Sequence, residues 1–355
     1  IVPYYSVIGG WVIKYLIEYF AGHSKTLAGD AYFTTFISNG WSTEICFIIF
    51  TLFTLGIIYA GVRNGIERVS RFMMPILIVL SLIIAVYSVT RPGAIEGVKY
   101  FLVPNFDHFS WMTVVSAMGQ MFYSLSIAMG ILITFGSYMK KDTSIEKSTE
   151  NVEIFDTAIA IMAGLMIIPA VFAFSGGNAE TLKSGPALMF ITIPKVFANM
   201  GFGTAIGIVF FLLVLFAAVT SSIALTESAV STFEDELHWS RKKSTVFMGM
   251  VMLLLGTLSC LGYGPLANFK ILGMQFLDFF DFITNSVMMP IAAIATCLLV
   301  SKVVGVDKIE EEIKKDGQAF RRKKIFCFMI KYLCPLFAAI ILISSVANAF
   351  GIITM

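Results

Sequence analysis
Cut at its charges, the chain falls into long apolar stretches separated by short polar ones. A membrane-spanning helix needs about 20 mostly apolar residues, and nine stretches fit: 1–21, 43–62, 72–90, 110–139, 153–175, 202–232, 244–264, 276–301 and 325–352. The pattern therefore predicts nine transmembrane helices. A further apolar stretch, 178–199, holds Lys183, Lys195, Pro186 and Pro194. It suits a loop lying across the surface better than a tenth span. The chain opens at Ile1 with no charge before Lys14, and it lacks the basic start and small-residue cleavage site of a signal peptide. That opening reads as the interior of a helix entered midway, with earlier helices missing.

The loops between these stretches differ sharply in charge. One alternating set carries Arg63, Arg68, Arg71, Lys140, Lys141, Lys147, Arg241, Lys242, Lys243 and eight more Lys or Arg between 302 and 324. The other holds only Lys25, Arg91, Lys99, Lys183, Lys195 and Lys270. The basic set is assigned to the cytoplasm, which makes the chain a multi-pass protein of the inner (plasma) membrane. Composition agrees: 57% of residues are hydrophobic and only 14% are charged, against about 25% charged in a soluble domain. A net charge of +2 gives no reason to expect nucleic acid. The basic segment 302–324 reads as an ordinary solvated loop or as a surface for anionic lipid. The five cysteines sit in or beside apolar runs without metal-like spacing and read as small hydrophobes.

Three features could carry chemistry. The fourth span places Gly119, Gln120, Ser124, Ser126 and Gly130 in an otherwise apolar helix, so it is easily broken. Broken backbone at membrane depth can present free carbonyl and N–H groups to a ligand; alternatively, the small residues serve helix packing. In the sixth span Ala217, Thr220 and Ser221 stand at i, i+3 and i+4 and share one helix face. Two hydroxyls and a carbonyl there suit a hard cation, although the hydroxyls could equally bond to their own helix. Asp156 near the start of the fifth span, and Asp278 and Asp281 near the start of the eighth, are costly at membrane depth. They are either functional or interfacial groups favoured by a helix start. Three histidines at loop positions, His23, His108 and His238, have no nucleophile near them, which argues against an enzyme.

Six segments in order, YYSVIGGW, RNGIERVSRFMMP, GQMFYSLSIAMG with its trailing SYMKKD, FAAVTSSIAL, FEDELHWSRKK and LDFFDF, resemble the neurotransmitter:sodium symporter family from its third helix to its eleventh. The resemblance implies an all-α polytopic transmembrane bundle of the LeuT-like inverted-repeat fold, lacking its first two helices. It also implies one transporter domain over 1–355, with 178–199 as the extracellular lid. The implied function is sodium-coupled symport of a neutral, apolar or aromatic amino acid by alternating access, with sodium as coupling ion and no organic cofactor. Because the family's first helix supplies ligands to both ions, the chain alone is expected not to transport. A homodimer is compatible with the resemblance.

Roles carry over residue by residue. Ile1, Tyr5, Tyr123, Ser124, Ser126, Met129, Ser221, Ser222 and Leu225 match substrate positions. Ser124 and Asp156 match the first sodium site, and Ala217, Thr220 and Ser221 the second. Asp281 resembles the extracellular gate acid and Asp235 the intracellular one, with Gln120 and Tyr138 as supporting partners. Asp156 stands where the family usually has Asn, and Ala160 replaces a Ser or Glu one turn later. A fixed carboxylate there implies chloride-independent transport. The rival readings are a proton-coupled permease of the same fold and a transport-inactive membrane scaffold.

Overall fold
A computed structural model describes residues 1–178, 181–182, 185–315 and 319–352. Lys183 of the expected lid lies outside the described residues. The principal helices are α1 (Val2–Phe20), α2 (Gly40–Tyr59), α3 (Val62–Val89), α4 (Trp111–Ser124), α5 (Ile131–Ser137), α6 (Ile145–Ser175), α7 (Gly185–Ala198), α8 (Gly203–Leu237), α9 (Arg241–Leu261), α10 (Phe276–Val304) and α11 (Lys323–Ala349). Among the described residues seven of these, α2, α3, α6 and α8 to α11, are long and apolar enough to cross a membrane. The first predicted span is α1, whose tyrosines, Lys14 and Glu18 make it less apolar. The fourth is divided between α4 and α5. One expectation is corrected: 178–199 is not simply a loop, since α7 is helical and buries Phe190, Ile193, Val196 and Phe197. At 14 residues α7 is too short to span.

Pro186 and Pro194 counted against a span in 178–199, yet Pro194, like Pro290 and Pro335, sits inside continuous helix. Wide π-helical turns at Leu188–Thr192, Phe282–Met288 and Met329–Leu333 each end two residues before a proline, Pro194, Pro290 and Pro335. A proline lacks an N–H and its ring collides with the carbonyl four residues back. The extra residue of a π turn relieves that collision without ending the helix.

The chain divides into two compact units. The larger comprises 2–105 and 159–277. In it α1 packs against α2, α8 and α9, and glycines set how closely. A Cβ at Gly10 would lie 2.7 Å from the backbone nitrogen of Phe47. Those at Gly207 and Gly256 would strike the rings of Tyr19 and Phe47 at 2.1 Å. Rings can shift but the α2 backbone cannot, so Gly10→Ala should cost about 1–3 kcal/mol through overpacking. The check is heat survival in detergent; an unchanged unfolding temperature would contradict this packing. The short helix α7 is fixed to the same unit: Tyr15 donates to the Phe190 carbonyl at 2.7 Å, Phe190 stacks on Phe33, and Lys195 pairs with Asp30.

The smaller unit holds 106–158 and the chain from 278 onward. Its apolar centre is Phe122 of α4, Met289 and Ala293 of α10, and Ala338 and Ile341 of α11. At its polar end Arg322 reaches Glu150 at 3.0 Å and Glu153 at 3.4 Å on α6. Hydrogen bonds from Lys314 and Lys323 hold the Glu310 carboxyl below its usual range. The 302–324 loop is thus partly ordered by ion pairs.

Candidate functional site
In the smaller unit the helix that begins at Trp111 stops at Ser124 and resumes at Ile131. Between them Ser126 and Ala128 adopt left-handed backbone, φ 55° and 62°, which side-chain-bearing residues avoid at a cost of order 1–3 kcal/mol each. Gly130 follows at φ 78° and caps α5, a conformation open to glycine without penalty. Such strain persists only where the surroundings hold it, and here the N–H groups of Leu125, Ser126 and Ile127 turn back to the carbonyls of Met121, Tyr123 and Phe122, so the helix breaks without leaving these donors open, contrary to the expectation of free N–H groups. Gln120 remains helical, so the interruption begins one turn later than the polar cluster begins.

At the edge of this interruption the Ser124 hydroxyl donates to Asp156 Oδ1 at 2.6 Å. The helix that carries Asp156 starts at Ile145, so Asp156 lies about three turns inside it. The helix-start explanation therefore fails for Asp156. A carboxylate held by a hydroxyl supplies oxygen ligands and a negative charge, the donor set a hard monovalent cation takes. Asp278 does sit in the first turn of its helix, where the dipole favours it. Asp281 accepts from the Asn285 amide at 2.6 Å. Ile1 and Met129 pack against the apolar centre of this unit. Tyr123 and Tyr138 are exposed, Tyr138 lying edge-on to Phe135.

In the larger unit the shared face of α8 contains a pair of adjacent oxygens. Thr220 Oγ1 is 3.0 Å from the Ala217 carbonyl and 3.0 Å from that of Phe216. The hydroxyl donates to its own helix, and that same bond brings the two expected ligand oxygens together. Ser221 shares a side-chain hydrogen bond with Tyr5, joining two of the expected substrate residues. Ser222 is fully buried, accepts from Thr54 at 3.3 Å and so faces α2. Leu225 is half-buried. Asp235 lies beside Glu234, which adjoins Arg241.

A further set escaped the sequence reading. Glu227, fully buried in α8, meets Arg241 of α9 through two contacts, Oε2 to Nη2 at 2.5 Å and Oε1 to Nη1 at 3.1 Å. Arg241 also reaches Glu234 at 3.3 Å and donates from Nε to the Ile58 carbonyl of α2 at 2.9 Å. One guanidinium thereby ties three helices. The signal was an acid inside an apolar run, which at membrane depth calls for a partner.

The family model described as the sodium:neurotransmitter symporter family matches residues 14–352. A Bacillus subtilis (strain 168) protein described as the uncharacterized sodium-dependent transporter YhdH is 32% identical over 357 residues, covering 100% of this chain and 78% of that protein. A sodium-dependent transporter of Haemophilus influenzae is 30% identical over 356 residues, covering 97% of this chain and 76% of that protein. Among solved structures, that of MhsT in complex with L-phenylalanine superposes with a TM-score of 0.83 at 32% identity, over 97% of this chain and 78% of that one.

Proposed function
Because the chain belongs to the sodium:neurotransmitter symporter family, and so is a multi-pass membrane protein of sodium-coupled transport rather than an enzyme, we propose that its cargo is a neutral amino acid with an apolar or aromatic side chain. Two findings support that cargo: a structural relative binds L-phenylalanine, and Tyr123, Met129 and Leu225 are apolar-bodied side chains at the expected pocket positions. The reading takes all of 1–355 as one transporter domain in the inner membrane, basic loops toward the cytoplasm and α7 toward the outside.

The observation that carries the ion chemistry is the Ser124 to Asp156 contact at 2.6 Å. Ser124 and Asp156 serve one sodium, and Ala217, Thr220 and Ser221 serve another. Tyr5 and Ser126 orient the amino acid. Asp281 and Asp235 act as gate acids, with Gln120 and Tyr138 in support. A ligand shifts a conformational equilibrium only by its differential affinity for the two states. Oxygen atoms filled by sodium and by substrate in the same closed state couple the two fluxes. The carboxylate of Asp156 provides the fixed negative charge that makes chloride unnecessary.

The test uses the complete gene product in proteoliposomes. Labelled L-phenylalanine should accumulate only under an inward sodium gradient, with a rate unchanged when chloride is replaced by gluconate. Loss of uptake in gluconate would overturn chloride independence, and uptake that follows pH while ignoring sodium would overturn sodium coupling.

A further inference from the structure
On the larger unit a groove of about 380 Å³ runs between α2, α3 and α8, within the roughly 300–1,000 Å³ range of small-ligand sites. Phe53 of α2, Phe72 and Met73 of α3, and Leu215 and Phe216 of α8 form its walls, and Arg68 is the one charged residue that lines it. Phe53 and Phe72 are exposed at 54% and 67%. Arg68 makes no ion pair or hydrogen bond among the described residues, whereas its neighbour Arg71 is taken up by Glu67 at 2.6 Å. Arg68 lies near the start of α3, in the basic loop assigned to the cytoplasm. An apolar trough ending at an uncommitted guanidinium complements a molecule that is a hydrocarbon chain at one end and an anion at the other.

We propose that this groove seats one acyl chain of an anionic phospholipid from the cytoplasmic leaflet, with Arg68 holding the headgroup phosphate. The guanidinium suits a phosphate through paired N–H donors, and the cytoplasmic leaflet is where anionic headgroups concentrate. Phosphatidylcholine of equal chain length fits the trough but carries a cation beyond its phosphate, so charge separates the two lipids. The site rests on the cytoplasmic assignment of the Arg63 to Arg71 loop and on no step of transport.

The experiment is native mass spectrometry of the complete transporter in mild detergent, mixed with phosphatidylglycerol or phosphatidylcholine of identical chains. Phosphatidylglycerol should be retained preferentially. Arg68→Gln should reduce that preference about fivefold, the effect of one basic residue at an anionic surface, while Arg71→Gln leaves it in place. Leu215→Trp, which fills the trough, should remove both adducts from a protein that stays monodisperse. Equal retention of the two lipids, or a preference that survives Arg68→Gln, would overturn the proposal. So would a Leu215→Trp variant that keeps its lipid and changes its oligomeric state, since the groove would then be a contact between copies. None of these outcomes bears on the sodium-driven uptake expected above.

Discussion

Asp156→Ala in the complete transporter should weaken the apparent sodium affinity of uptake by on the order of a hundredfold, equivalent to about 3 kcal/mol of ion binding. The substitution removes two things together: oxygens that can meet the ion, and the acceptor that fixes the Ser124 hydroxyl at 2.6 Å. Asp156→Asn separates them, because the amide keeps an acceptor oxygen for Ser124 while deleting the charge. Its loss of affinity should be smaller, and all of it should lie in sodium dependence with the maximal rate at saturating sodium retained. Uptake measured against sodium concentration decides the matter. An Asp156→Ala protein with unaltered sodium dependence would remove the carboxylate from the ion site.

The second large effect is on stability. In Arg241→Met the Glu227 carboxylate stays fully buried and loses the guanidinium that pairs with it. Stranding a buried charge costs about 3–5 kcal/mol, and the Ile58 carbonyl loses its donor as well. The double variant Glu227→Leu with Arg241→Met should recover a substantial part of that loss, because no fully buried charge is then stranded; Glu234, which also loses Arg241, is partly open to solvent. Thermal unfolding in detergent distinguishes the cases. A double variant no more stable than Arg241→Met would show that the pair contributes through something other than mutual neutralisation.

What could be read from sequence follows from what lipid demands. Hydrocarbon forces long, internally bonded apolar segments, so eight of the nine predicted spans appear as unbroken helix and the fourth as two shorter ones. The weak point in the fourth was visible because Ser124, Ser126 and Gly130 interrupt an apolar run, but the residues that take left-handed backbone, Ser126 and Ala128, have no marker of their own. The 178–199 segment was expected to be a loop because its lysines and Pro186 and Pro194 were counted against helix. Pro186 falls in the first turn of its helix and Pro194 follows a wide turn, and neither circumstance is written in composition. Thr220 and Ser221 shared a face on paper, and the bond from Thr220 back to Ala217 within the same helix was among the readings; that Ser221 meets Tyr5 depends on α1 being packed beside α8. Glu227 and Arg241 meet across the α8 to α9 corner, a contact set by the left-handed His238 at the end of α8.

The wide turns ahead of Pro194, Pro290 and Pro335 bear on how such a chain changes over generations. One additional residue swings everything downstream by about 100° around the helix axis, so the segments before and after each turn present different stripes to their surroundings. Gain or loss of a single codon at such a place can redirect a whole half-helix toward lipid or toward protein, where substitution would need many coordinated exchanges.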